Sequence, residues 1–264
     1  MRMSFVHEFT KLYAYREVLR NLVNSDLKLR FRRSFLGYGW SLLYPVLQML
    51  ILAVVFSRVM KFGSPSEMVP YIFAGLAPWN FFVSTCMAGG NSLLTNEALL
   101  KKIYLPKMIF PMAILLARLV DFLFNIAALF IIVSLISFKI SWALLLLPVA
   151  IALLFLFVGG ITIALSAVNV YMRDAAHLMS VVLQLAFYAT PIIYREEILT
   201  SHGYGTLLEF NPLVHIIRIF HVIIADAQMP SLQQWNMAAA VAIGTAVLGC
   251  ALFARLERNL IFRL

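Results

Sequence analysis

The sequence predicts an all-α polytopic membrane protein with six transmembrane helices, an N-terminal amphipathic interface helix, and a re-entrant hairpin between the fifth and sixth spans. Three observations support this fold class. The 264-residue chain is 62% hydrophobic and only 12% charged, whereas an average soluble domain is about half apolar and about a quarter charged. Several windows reach the roughly 20 apolar residues that a helix needs to cross a bilayer. The basic residues are distributed unevenly around those windows.

The first element is an amphipathic helix over residues 5–24. Its apolar side chains recur at steps of three and four residues, which is the period of a helix with one apolar face; they are Phe5, Phe9, Leu12, Tyr15, Leu19 and Leu22. The other faces are too polar to cross a membrane, so the helix is expected to lie in the interface. An ordinary soluble helix is the alternative. Residues 1–34 are therefore expected to form a cytoplasmic interface helix and basic segment.

The next elements are the six spans, which build a bundle over residues 38–254. Their expected bounds are 38–57, 69–90, 108–137, 142–168, 177–194 and 235–254. With both termini in the cytoplasm, fifteen of the 21 lysines and arginines lie inside, five lie outside, and Arg118 lies within a span. The excess of basic residues on the cytoplasmic side favours this orientation. The whole chain then forms a single transmembrane domain, and residues 255–264 form a cytoplasmic tail.

The loop between the second and third spans contains a short predicted helix. Asn96 is a suitable cap for it, and Glu97 follows at the positive end of the helix dipole. Lys101 and Lys102 come late in the helix, and Pro106 is expected to stop it. The loop is either a simple surface connector or a docking element for a cytoplasmic partner, and these residues alone do not separate the two readings.

The segment from 196 to 230, between the last two spans, predicts a hairpin. Asn211 is a good helix cap, and Pro212 follows at the first helical position, where its missing donor costs nothing. About a dozen mostly apolar residues come next, which is too short a run to cross the bilayer. We expect a hairpin that dips into the outer leaflet next to a pathway or its plug, because irregular backbone at that depth must face protein or water. A flat surface helix is the alternative.

A charged pair, Arg118 and Asp121, lies inside the third span at a spacing that puts both side chains on one helical face. Charges within a span are costly and normally face the bundle interior or a wet cavity. The pair therefore either lines a polar conduit or locks helices together. The lock is favoured, because a neutralised pair makes a poor ion site.

The sequence contains no motif for catalysis, nucleotide binding or metal binding. It has no G-x-x-x-x-G-K-[ST] segment, no H-E-x-x-H and no G-x-S-x-G. The histidines are scattered, and both cysteines sit in apolar runs. The net charge of +9 is explained by basic residues retained on the inner side rather than by nucleic-acid binding. The chain is therefore not expected to be an enzyme or to hold a cofactor, and any energy for uphill transport comes from another chain.

Five segments in order resemble those of one known family. They are SDLKLRFRRSFLGYGWSLLYP (25–45), LLKKIYLPKMIFPMAILLARLVDFLFN (99–125), NVYMRDAAHL (169–178), TPIIY (190–194) and NPLVHIIRIF (211–220). Together they resemble the membrane subunit of type-2 ABC exporters, in the branch that exports O-antigen, teichoic acid or capsular polysaccharide. A membrane-embedded lipid-sugar transferase is a weaker alternative, since no catalytic constellation is present. A secondary transporter, or a type-2 exporter of small drugs, is a further alternative.

The resemblance implies a bacterial inner-membrane permease in which two copies form one pore. Each copy docks a separate P-loop ATPase, which binds ATP and Mg²⁺. The substrate would be an undecaprenyl-pyrophosphate-linked glycan, with O-antigen favoured. The implied coupling helix carries Asn96, Glu97, Leu99, Leu100, Lys101, Lys102 and Tyr104. The 196–228 hairpin would correspond to the family's periplasmic gate helices.

Two further groups of residues are predicted to contact the substrate. Arg30, Arg32 and Arg33 are expected to receive the lipid's anionic pyrophosphate at the pore entrance. Aromatic side chains are expected to stack weakly on sugar rings along the channel, although each could instead face lipid; they are Tyr38, Trp40, Tyr44, Trp79, Phe81 and Phe82.

Overall fold

The structure, a computed structural model, describes residues 14–31, 39–55, 65–136, 141–172 and 174–263. Within these ranges it is helical and contains no strand, which confirms the all-α class. We number the α-helices in chain order: α1 Arg16–Phe31, α2 Gly39–Val54, α3 Pro65–Gly90, α4 Ser92–Thr95, α5 Glu97–Lys102, α6 Ile109–Ile136, α7 Leu147–Tyr171, α8 Ala175–Ala189, α9 Glu196–Ser201, α10 Gly205–Phe210, α11 Pro212–Phe220, α12 Leu232–Leu256 and α13 Leu260–Arg263. A π-helical turn, His221–Ala225, follows α11.

Four helical stretches are long and apolar enough to cross a membrane. They match the second, third, fourth and sixth predicted spans and cover Glu67–Gly90, Ile109–Ala128, Trp142–Tyr171 and Leu232–Asn259. The first and fifth predicted spans correspond to the 16-residue α2 and the 15-residue α8. Helices of that length cover about 24 Å, against a hydrocarbon core of roughly 30 Å. Within the described residues, neither α2 nor α8 reaches the length of a straight crossing.

The bundle is organised around close contact between α7 and α12. Gly160 of α7 faces Gly249 of α12, and a Cβ atom on Gly249 would overlap the backbone carbonyl of Gly160. Small residues at such a crossing let two membrane helices approach until their backbones touch. α3 packs against both α6 and α7. The main core between these helices contains a group of buried aromatic side chains, among them Phe73, Phe122, Phe157 and Phe220.

The N-terminal helix ends later in the chain than expected and packs against protein. α1 continues beyond the predicted end at residue 24, so part of the basic segment is helical. Leu19 and Leu22 pack against a cluster that contains the buried Leu100 of α5, and α1 also contacts α6. This part of the predicted apolar stripe therefore faces the bundle. Residues 1–13 of the predicted helix lie outside the described residues.

The short helix in the loop after α3 exists, but two predictions about its ends are wrong. Asn96 makes no side-chain cap for α5; its amide instead donates to the carbonyl oxygen of Ser92 at 2.8 Å. The reason is that α4 leads almost directly into α5, so a carbonyl one turn back is within reach of the Asn96 side chain. α5 ends because Ile103 is extended, with φ −132° and ψ 134°. Pro106 lies beyond this point and is not what stops the helix.

The predicted hairpin consists of three helices and a π-helical turn. Asn211 caps α11 as predicted: its side-chain oxygen accepts a hydrogen bond from the backbone N–H of Leu213 at 3.0 Å, and Pro212 occupies the first turn. α11 packs against α3, α7 and α12, and most of its side chains are buried. An enclosed helix of this kind does not fit the alternative of a flat surface helix. α9 and α10 precede it and are joined by a turn in which Gly203 has φ +83°.

Candidate functional sites

Four charged side chains connect α1 to α6. Arg30 of α1 donates to the carboxylate of Asp121 on α6 and also to Asp26, one turn back on α1. Arg118 lies 3.8 Å from the same Asp121 oxygen. These four side chains are between 13% and 23% exposed, so the network is mostly shielded from solvent. The predicted pair of Arg118 and Asp121 therefore exists, but Arg30 is the closer partner of Asp121 and turns the pair into a link between helices.

The same face of α6 carries polar atoms that have no hydrogen-bonding partner among the described residues. They are Arg118 Nε, Asp121 Oδ1 and Asn125 Oδ1. Their spacing of three and four residues places them along one side of the helix. A buried polar atom left without a partner costs about 1–3 kcal/mol, so atoms of this kind are normally satisfied by water or a polar ligand. α6 thus combines a helix lock with a polar face, which keeps both predicted roles of the pair open.

The loop after α4, which covers residues 96–107 and includes α5, presents an exposed surface that is both basic and aromatic. Leu100 is buried and holds α5 against the bundle, while Lys101 and Lys102 are exposed. Just past the helix, Ile103 is 52% exposed and Tyr104 is 88% exposed. Exposed aromatic and aliphatic side chains next to basic ones are typical of a surface that binds another protein. The structure thus brings the predicted coupling residues together on one short loop.

Asn169 connects three helix ends next to that loop. Its side-chain amide donates to Asn91 Oδ1 at 2.8 Å and to the Gly90 carbonyl at 3.2 Å, and its oxygen accepts from the Ala176 backbone N–H at 3.2 Å. The residue is 1% exposed. One buried side chain therefore joins the end of α3, the end of α7 and the beginning of α8. Sequence reasoning did not assign a role to this residue, although it opens the NVYMRD segment.

Two further contacts tie this region to the end of α12. Lys107, in the loop after α5, donates to the backbone carbonyl of Glu257 at 2.8 Å. The Tyr171 hydroxyl, at the end of α7, donates to the carbonyl of Leu256 at 2.9 Å. Together with the hydrogen bonds of Asn169, these contacts link the region around α5 to the ends of α3, α7, α8 and α12.

Half of the predicted channel aromatics are buried in the core of this chain. Trp79, Phe81 and Phe82 of α3 are 6%, 3% and 4% exposed. Trp79 and Phe82 meet edge to face at 5.7 Å, and Phe81 lies 5.2 Å from Phe122. Within a single chain these rings therefore pack against neighbours rather than line an open surface, and their assignment to a glycan channel stays a prediction.

The three entrance arginines and the other three predicted channel aromatics are described only in part. Trp40 of α2 is 53% exposed, and Arg30 is held in the network with α6. The remaining predicted residues here, either wholly or as side chains, lie outside what the structure describes: Arg32, Arg33, Tyr38 and Tyr44. Their roles stay predictions.

A polar pocket of about 330 Å³ lies where the hairpin meets α3 and α12. We call it the hairpin pocket. Its polar lining comes mainly from Tyr71, Arg195, Glu197, Arg218, Asp226 and Gln234, and Glu196 and His221 also contribute. These residues are far apart in the sequence, and sequence reasoning did not predict the pocket.

One wall of the hairpin pocket is a stack of rings. His221 lies parallel to Tyr71, with ring centroids 4.0 Å apart and planes 16° from parallel. The Arg195 guanidinium is 5.3 Å from the centroid of the Tyr71 ring, and the Tyr71 hydroxyl donates to the Tyr194 carbonyl at 3.0 Å. The stack needs a glycine on α3, because a Cβ on Gly75 would lie 2.7 Å from His221 Nε2.

Some charged groups of the pocket are paired with each other, and others remain available to a ligand. Arg218 and Glu196 form a closed pair, with Nε 2.9 Å and 3.0 Å from the two carboxylate oxygens. Within the described part of the chain, the carboxylates of Glu197 and Asp226 accept no hydrogen bond from another side chain. Both can therefore accept hydrogen bonds from a ligand. Asp226 is an exposed residue, but the surrounding protein partly desolvates its carboxyl and raises the pKa of that group. The nearby Arg195 opposes this effect.

Comparisons with known proteins place these features in context. Residues 17–225 match the model of the ABC-2 type transporter family. The chain is 32% identical over 235 residues to an O-antigen export system permease protein of Myxococcus xanthus, covering 88% of this chain and 90% of that protein. It is 29% identical over 217 residues to one from Klebsiella pneumoniae, covering 81% and 82%. It is also 23% identical over 252 residues to a polysialic acid transport protein of Escherichia coli, covering 89% and 92%.

Proposed function

Because the chain belongs to the ABC-2 type transporter family, as a membrane-spanning permease subunit, we propose that it exports a lipid-linked polysaccharide, specifically O-antigen, across the bacterial inner membrane. The observation that carries this proposal is the similarity to O-antigen permeases, which extends over at least four fifths of both proteins. The chain supplies the conduit, and ATP and Mg²⁺ bind to a separate ATPase subunit.

The proposed arrangement is a pore made of two copies, each with six crossings and both termini in the cytoplasm. In this arrangement α2 and α8 complete the set of spans, and the hairpin is re-entrant from the outer side. α8 supports this role because it displays exposed apolar side chains that suit contact with lipid; they include Leu178, Val181, Val182 and Leu185. The enclosed position of α11 supports the re-entrant hairpin.

The loop from α4 to Lys107 is proposed to be the element on which the ATPase acts. Its exposed lysines and Tyr104 offer a docking surface, while the buried Leu100 fixes it to the bundle. Closure of the ATPase pair would push on this loop and shift helices as rigid bodies, a common form of switching. The hydrogen bonds of Asn169 and Lys107 would carry the push to the ends of four membrane helices, α3, α7, α8 and α12.

The entrance for the substrate is proposed to lie near α1 and α2. Arg30, Arg32 and Arg33 would attract the pyrophosphate of the lipid carrier. Arg30 already faces Asp26 and Asp121, so a pyrophosphate would have to compete with two carboxylates for its guanidinium. Trp40 has the exposed ring face that stacking on a sugar requires.

A capsular polysaccharide is the second candidate substrate, and the similarity to a polysialic acid transport protein favours it. Both substrates are long polar polymers, so the same conduit chemistry serves either. The lower identity of that relative, 23% against 32%, puts O-antigen first.

The proposal is tested by complementation in a strain that lacks its O-antigen permease, with the cognate ATPase co-expressed. We expect surface O-antigen to be restored, and a variant lacking residues 96–105 to fail although it is inserted in the membrane. Purified alone, the chain should hydrolyse no ATP.

If the chain restores no surface O-antigen in that strain but restores capsule in a strain that lacks its capsule permease, the second candidate is favoured. Failure in both strains would overturn the assignment to polysaccharide export.

A further inference from the structure

We propose that the hairpin pocket is a binding subsite for an uncharged sugar ring of the exported glycan. This inference rests on the proposed function, but it concerns a site outside the predicted entrance and channel residues. Three properties of the pocket support this assignment: its hydrogen-bonding groups, its balance of charge, and its size.

The pocket groups that remain available to a ligand can form the hydrogen bonds that sugar hydroxyls require. Sugar hydroxyls both donate and accept hydrogen bonds. The Glu197 and Asp226 carboxylates can accept from them, and hydrogen bonds to charged acceptors are the stronger kind. The Gln234 side chain uses its oxygen to accept from the backbone N–H of Ser231 at 2.7 Å, so its NH₂ group is oriented by the cap of α12 and can donate to a ligand.

The charge balance argues against simple ions. Two guanidinium groups, Arg195 and Arg218, face the pocket and would repel a metal cation. Three carboxylates also face it and would repel phosphate or another anion. Because groups of both signs line the pocket, a cation or an anion would meet groups of its own sign as well as opposite ones, whereas sugar hydroxyls can donate to the carboxylates and accept from the guanidinium groups.

The size and openness of the pocket fit one ring of a longer chain. Its 330 Å³ lies near the lower limit of small-molecule pockets, which range over about 300–1,000 Å³. The Glu197 and Asp226 side chains are exposed, so a ring can enter without displacing the Tyr71–His221 stack. A shallow site of this type binds weakly, which is what a passing polymer requires.

The test uses the full chain with its ATPase partner in lipid nanodiscs and measures sugar binding by saturation-transfer NMR. The probes are methyl mannoside, methyl galactoside and N-acetylglucosamine. The test variant is Glu197→Gln combined with Asp226→Asn, and Glu197→Gln alone serves as a milder second variant at an exposed position. The matched control is Glu209→Gln, an exposed carboxylate of the same hairpin that does not line the pocket. An unchanged circular-dichroism spectrum and unchanged co-purification with the ATPase partner verify that each variant is folded.

We expect at least one probe to bind the wild type and the Glu209→Gln control equally. The double variant should bind it at least about tenfold more weakly, and the single variant should lie in between, because each substitution weakens a hydrogen bond to a charged acceptor. Equal binding by the wild type and the double variant would overturn the proposal, as would binding of calcium or inorganic phosphate but of none of the sugars.

Failure of this inference can be told apart from failure of the proposed function. If the wild type restores O-antigen export but the pocket variants bind sugar like the wild type, only the pocket assignment is wrong. If the wild type binds sugar through the pocket but restores no glycan export, the subsite stands and the transport assignment is wrong.

Discussion

The substitution Asp121→Asn removes the carboxylate that joins α1 to α6. Arg30 would keep Asp26 as a partner, but it would lose its link across the two helices. Arg118 would lose the only carboxylate within 4 Å among the described residues. An asparagine has nearly the same shape, so the change tests charge rather than packing.

The expected cost follows from how shielded the network is. A fully exposed ion pair contributes about 0–1 kcal/mol, and removing one partner from a fully buried pair costs about 3–5 kcal/mol. The side chains here are 13–23% exposed, which places the loss between these limits. We therefore expect Asp121→Asn to lower the free energy of unfolding by about 2 kcal/mol.

The assay is equilibrium unfolding in mixed micelles, followed by circular dichroism, for four proteins in a double-mutant cycle. They are the wild type, Arg30→Gln, Asp121→Asn and the double variant. The losses in free energy of unfolding of the two single variants should add up to more than the loss of the double variant. The difference, which is the coupling energy, should be at least about 1 kcal/mol. Glu209→Gln, an exposed carboxylate outside the network, is the control and should cost nothing measurable. Additive losses, within about 0.3 kcal/mol, would refute the claim that this contact fastens α1 to α6.

Three other predictions concern packing and coupling. Gly75→Ala should destabilise the protein by about 1–3 kcal/mol, because its Cβ would lie 2.7 Å from both His221 Nε2 and the Ile192 carbonyl; unfolding in mixed micelles measures this. Asn169→Ala should cost about 2–3 kcal/mol, since it removes three hydrogen bonds in a buried position. Tyr104→Ala should weaken binding of the ATPase about tenfold or more without changing stability, as measured by titration of the partner onto nanodiscs.

Each of these has its own contrary outcome, and Gly75→Ala also has a matched control. Gly244→Ala lies inside α12 with nothing within 4 Å of the added Cβ, so it should cost no stability and should add up to about 1 kcal/mol; an equal loss at both glycines would contradict the proposed close approach. An Asn169→Ala variant as stable as the wild type would show that the three helix ends are held by other contacts. Unchanged partner affinity after Tyr104→Ala would move the docking surface away from this loop.

The long helices were predictable from the sequence because their signal is local. Apolar runs of membrane length identified four of the spans, and those stretches are helical in the structure. The Asn211 and Pro212 pattern also gave the correct start of α11, because both residues act within one turn of the backbone. The same local rule failed at Asn96, where the preceding helix α4 supplied a nearer carbonyl.

The contacts between distant segments were not predictable. Arg30 and Asp121 are 91 residues apart, and nothing in the spacing of either segment shows that α1 reaches along α6. The spacing of Arg118 and Asp121 revealed a pair but not its third member. The hairpin pocket was missed for the same reason, because its residues come from segments whose meeting depends on how the hairpin packs against α3 and α12.

The central claim is that a separate ATPase drives this chain through the loop after α4, on the cytoplasmic side. The most direct test places one cysteine at Tyr104, by Tyr104→Cys in a background with Cys86→Ser and Cys250→Ser, and labels it with a membrane-impermeant maleimide. The account predicts labelling in inside-out vesicles, none in intact spheroplasts, and protection of the thiol when the ATPase is bound. Labelling of Tyr104→Cys from the outside of spheroplasts would contradict the account.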